Sequence, residues 1–168
     1  MMSEKDNDVL RKISREDGVL ESQVDSNFTF LISPSITIGV DIRLLAHAFK
    51  NIVFRKIKTI RFESPITGFV FFPTIVDPEI ISGAPQNTVK YKRKEKCYFV
   101  GLVIPFIAWS RASLSERVDL LTNNLIDSLN AVPGRHLFDS EKQEIIKVVK
   151  DVRDYLLSGE AQSTENEK

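Results

Sequence analysis

The run Cys97–Trp109 reads Cys-Tyr-Phe-Val-Gly-Leu-Val-Ile-Pro-Phe-Ile-Ala-Trp. No charged or amide side chain interrupts it before Arg111, which makes it the longest such run in the chain. β-Branched and aromatic residues dominate its first half, and such side chains fit a pleated, packed surface. The pattern predicts a strand over Cys97–Ile104 that is apolar on both alternating faces and therefore buried on two sides. Pro105 is expected to end it, because proline has no N–H to give a ladder. The run falls well short of the roughly 20 apolar residues that span a bilayer. The rest of the chain is read as the material that covers this strand.

The nearest cover is the segment before it. Thr88–Arg93 alternates, with Val89 and Tyr91 pointing one way and Lys90 and Lys92 the other. Lys94-Glu95 is read as the turn of a hairpin. That register sets Tyr91 against Tyr98 and Val89 against Val100 on one face. Lys92 then meets Cys97, and Lys90 meets Phe99, on the other, where lysine stems can lie over Phe99.

Upstream, Phe28–Ile32 reads as a strand punctuated by Ser33-Pro34-Ser35, and Ile36–Val40 as its continuation or a second short strand. From Asp41 to about Phe54, Ile42, Leu45, Ala48, Phe49 and Ile52 recur at helical spacing, with Asp41 as the cap. His47 falls off that stripe and reads as a boundary histidine. Lys56–Phe62 alternates around Ile57, Ile60 and Phe62, which suggests a basic strand joined by a hairpin-like connection to an apolar strand, Phe69–Phe72, that stops at Pro73. Pro73 to about Asn87 reads as a loop.

Downstream, Ser113-Leu114-Ser115-Glu116 is a capping box. The helix it opens carries Leu114, Val118, Leu121, Leu125 and Leu129 on one stripe and ends near Asn130 and Pro133-Gly134. Asp139 or Ser140 is expected to cap a last helix with Ile145 or Ile146, Val149, Val152 and Leu156 inside. Residues 1–25 mix charges with few aliphatics and read as a mobile segment; 160–168 read as a disordered tail. The domain is then 26–159. Its expected class is α+β: a mainly antiparallel sheet of about five strands, one helix inserted early, and two C-terminal helices packed on the sheet.

The chemistry-bearing residues are sparse. One cysteine, Cys97, lies within the apolar strand, and the two histidines, His47 and His136, have no second metal ligand at helical spacing. Gly68, Gly83 and Gly101 are isolated, so no phosphate loop or dinucleotide fingerprint exists, and no nucleophile elbow is found. The reading is a non-enzyme without catalytic residues, cofactor or metal. The first residues contain no apolar run of the secretory type, so a cytoplasmic protein is expected. Net charge is zero, which argues against a polyphosphate as the main partner. Locally, however, Lys90, Lys92, Arg93, Lys94 and Lys96 cluster at the hairpin. With Asp77 and Glu79 of the preceding loop they are the candidate partner-binding residues. Lysines of this kind also guard a strand edge. Interleaved with Tyr91 and Tyr98, they are alternatively a nucleic-acid contact.

From about Phe99 onward the chain resembles the immunity proteins of bacterial polymorphic toxin systems. The residues that carry the resemblance are the strand Tyr98–Ile104, the link Phe106-Ile107-Ala108-Trp109, the box Ala112–Glu116 and the helix ending Leu125-Ile126-Asp127-Ser128-Leu129. The resemblance implies a small cytoplasmic, non-enzymatic protein that binds and neutralises one cognate toxin by occlusion, without a membrane. It carries over no catalytic residue.

Overall fold

In a computed structural model of the chain, the residues described are 4–6, 8, 10–11, 28–33, 40–76 and 87–158, without the side chains of 40–43, 75 and 76. Residues 4–6, 8, 10 and 11 are helical (α1). They are followed by β1 (Thr29–Ile32), α2 (Val40–Ile57), β2 (Gly68–Val76), β3 (Thr88–Lys92), β4 (Cys97–Pro105), α3 (Phe106–Arg111), α4 (Leu114–Asn130) and α5 (Asp139–Leu157). The class is α+β.

The sheet departs from expectation. Among the described residues it has four strands in the order β1-β2-β4-β3. β1 pairs with β2, and β2 with β4, in parallel; β3–β4 alone is antiparallel. The reason lies at Lys56–Phe62, which forms no strand. Ile57 sits four residues beyond Val53, both fully buried, so it extends the helix stripe of α2. The helix then unwinds through bonds from Lys58 N to Phe54 O and from Ile60 N to Ile57 O. Without that strand there is no hairpin into β2. Instead α2 carries the chain back to where β1 began, and β2 must run parallel to β1. Since α2 already begins at Val40, Asp41 lies inside its first turn rather than at its cap. The rest of 36–40 lies outside the described residues.

β2 also runs past Pro73, which pairs with Leu102. Ser33 N donates to Phe71 O, so the odd-numbered residues of β2 turn their backbone groups toward β1. β1 ends opposite Phe71, and Pro73 therefore lacks its donor where no described strand lies alongside to receive it.

The third correction concerns β4. Tyr98, Val100, Leu102 and Ile104 are at most 4% exposed, but Phe99, Gly101 and Val103 are only half-buried. The same split divides β2, where Phe69 and Phe71 are fully buried while Phe72 is 36% exposed. One sheet face meets the core side chains of the helices, including Leu45, Phe49, Leu121, Leu125, Val149 and Val152. The other lacks such cover from the described helices.

The C-terminal helices follow the sequence more closely. Ser113 and Glu116 make the capping box, and Leu114, Val118, Leu121, Leu125 and Leu129 are all buried. The cap of α5 is Phe138 rather than Asp139 or Ser140, and it makes no side-chain cap bond. Its N–H goes to Ser64 Oγ instead, at 2.9 Å. Leu10, 1% exposed, joins the core from α1. The remainder of 1–25, and 160–168, lie outside the described residues.

Three buried charged groups among the described residues, Arg117, Lys142 and Glu141, have clear partners. Arg117 donates from Nε to Trp109 O at 3.0 Å and stands over the Trp109 ring, 4.9 Å from its centroid. Lys142 Nζ donates to Val132 O at 2.6 Å. Glu141 Oε1 accepts from Glu63 N (3.1 Å), Ser64 N (3.1 Å) and Ser64 Oγ (2.8 Å), tying α5 to the approach of β2. Glu141→Ala is expected to cost about 2–3 kcal/mol, because it strands partly buried donors without an acceptor. Denaturant unfolding checks this: an unchanged midpoint would mean water replaces the carboxylate freely.

Candidate interaction surface

The hairpin is built as the alternation requires. Its register is Val89↔Val100, Lys90↔Phe99, Tyr91↔Tyr98 and Lys92↔Cys97. The connection, however, is the four-residue turn Arg93–Lys96, with Lys96 at φ 51°. That left-handed backbone closes a turn which lacks the glycine or asparagine a tight primed turn prefers. Thr67 fastens it from outside: its N–H donates to Lys96 O at 2.7 Å and its Oγ1 to Glu95 O at 2.8 Å.

Lys90, Lys92, Arg93, Lys94 and Lys96 thus share one hairpin, and all but the half-buried Lys92 are exposed. Lys92 Nζ lies 5.4 Å from the centroid of the Phe99 ring. Asp77 and Glu79 lie outside the described residues.

The opposite side of the hairpin is held by groups that sequence reasoning did not join. Tyr91 packs on Tyr98, with centroids 5.1 Å apart, and stacks on His136 at 4.3 Å. The Tyr98 hydroxyl and His136 Nδ1 are hydrogen-bonded. His136 belongs to the link between α4 and α5, a stretch without periodicity, so no pattern brought it to the strands. Burial above all pushes the Tyr98 phenol above its usual value; Arg135 opposes this and Tyr91 adds to it. Asn87 closes the other end, accepting from Val103 N at 2.8 Å and donating to Asn124 Oδ1 at 2.9 Å.

Cys97 is 6% exposed. Burial, then the charge of Glu95, raise its thiol pKa, while a bond to the Tyr98 backbone lowers it. A thiol held protonated in this way is a poor nucleophile. Among the described residues no group of three His, Cys, Asp or Glu could hold a metal ion, and no helix is long and apolar enough to cross a membrane. An open groove of about 400 Å³ lies between α3 and α4, with Ile107, Arg111, Glu116 and Asp119 in its lining.

Fold and surface together define a small α+β domain that presents a cationic hairpin braced from behind. The sequence matches the family described as Immunity protein 44 over residues 26–156, and the chain belongs to that family. The match takes in the N-terminal strands as well as the region from Phe99 onward. No curated protein and no solved structure matches the chain.

Proposed function

We propose that this chain neutralises one cognate bacterial toxin by occlusion in the cytoplasm, as a non-enzymatic binding protein. Membership of an immunity family supports the class of partner. The observation that carries the geometry is the braced hairpin. Val89 and Tyr91 pack against the core, so the backbone that carries the cations is already ordered before a partner binds. Lys90, Lys92, Arg93, Lys94 and Lys96 would meet an acidic surface of the toxin, with Asp77 and Glu79 of the neighbouring loop as further contacts.

The test is co-expression with the toxin recovered by pull-down from the native host, with the charge-reversed pair Lys90→Glu and Lys92→Glu alongside the parent. Melting should change by no more than about 0.5 kcal/mol, as surface substitutions do. Association should slow, and the defect should shrink as salt rises. Unchanged rescue and unchanged association would remove the hairpin from the interface.

A second reading has one observation in its favour. A cation above an aromatic ring, as at Lys92 and Phe99, is also an element of single-strand nucleic-acid platforms. Tight, steeply salt-dependent oligonucleotide binding by the parent, lost in the reversed pair, would favour it over immunity.

A further inference from the structure

The open face of the sheet carries the second feature of an interface. Leu31 and Phe72 are 37% and 36% exposed, and Val70, Phe99 and Val103 are half-buried. The register places them side by side: Leu31↔Val70 and Val70↔Phe99 form one row, with Lys90 opposite Phe99 at its end. Phe72 and Phe99 touch across strands, with centroids 5.6 Å apart. Parallel strands are normally covered on both faces, because their apolar side chains project to both. Here the described helices cover β1, β2 and β4 on one, and Leu31 and Phe72 stay exposed on the other.

We infer that this face is the apolar centre of the toxin interface, and that it receives an apolar projection of the toxin flanked by carboxylates. The inference rests on the immunity reading and adds the location and chemistry of the contact. Charge selects the occupant. Lys90 and Lys92 line one edge, and no carboxylate lies on this face among the described strand residues. A second copy laid face to face would bring no carboxylate to Lys90 and Lys92 from its described strands, since a twofold interface presents the same patch from both sides. A stacked base is disfavoured by the rings themselves. Phe72 and Phe99 are tilted by 53° to one another, so they do not form one flat platform. An aromatic centre with a cationic margin instead fits the arrangement of protein interfaces, in which a few buried aromatic anchors carry most of the affinity.

The experiment uses the full chain and the toxin recovered by pull-down from the native host, inactivated for calorimetry and active for growth rescue. Phe72→Lys should weaken binding by at least about 30-fold, the loss expected for an aromatic anchor, while Phe72→Leu stays close to the parent. Thr74→Arg is the second variant. Thr74 is exposed on the same face, so bulk there leaves the core untouched and still obstructs docking. If the parent binds and both Phe72→Lys and Thr74→Arg bind equally well, the face is not the interface, and the immunity reading stands without it. If the parent neither binds nor rescues, both readings fall. A dimer of this chain dispersed by Thr74→Arg, or oligonucleotide binding lost in it, would assign the face to another occupant and overturn the inference.

Discussion

Val100→Asp is expected to yield no soluble, folded protein. Val100 is fully buried near the middle of β4, paired with Val89 on one side and Phe71 on the other. Asp would place a carboxylate among apolar side chains, where an unpaired charge costs several kcal/mol. Total stability of such a domain is about 5–15 kcal/mol, so a single buried charge consumes much of it. The loss would also be cooperative, because β4 pairs with both β2 and β3. Soluble yield and thermal melting decide the matter. A soluble variant with the parent's midpoint would mean that β4 is not the centre of the sheet.

The second large effect is expected at Gly68, which stands at φ +148°, a conformation that L side chains rarely adopt. A Cβ there would lie 2.0 Å from Thr29 O, a backbone atom of the adjacent strand. Gly68 and Thr29 are the first pair of the β1–β2 ladder, so β1 could not move away locally without losing its register. Gly68→Ala is therefore expected to cost at least about 3 kcal/mol, from backbone strain and displacement of β1 together. By contrast, Gly134→Ala would meet only Asp139 Oδ1 at 3.6 Å and should be nearly neutral. Equal unfolding midpoints for the two variants would contradict the close approach of β1 and β2.

What was legible in the sequence was local. The hairpin register followed from alternation, because the lysines at 90 and 92 allow only one face of β3 to enter the core. The capping box at Ser113 and the stripe of α4 were equally plain. Strand direction was not, since alternation within β2 says nothing about which neighbour it takes or in what sense. The end of α2 misled for a related reason: Ile57, Ile60 and Phe62 fit a two-residue period, while Ile57 also lies on the helix stripe. At the candidate surface the lysines were visible as a cluster. The aromatic face was not, because a strand apolar on both sides looks the same whether its second side is covered by its own chain or left open.

The parallel pairing of β2 with β4 has a consequence for how the chain acquires its fold. β1, α2 and β2 are made first on the ribosome, yet the strand that pairs along the whole of β2 is made only after β3. The β3–β4 hairpin closes a short loop and can form early, whereas β2 must wait for a non-local partner. β1 can pair with one edge of β2 at once, but the other edge stays unpaired until the hairpin is made, and the sheet is completed when a locally formed hairpin captures a waiting strand.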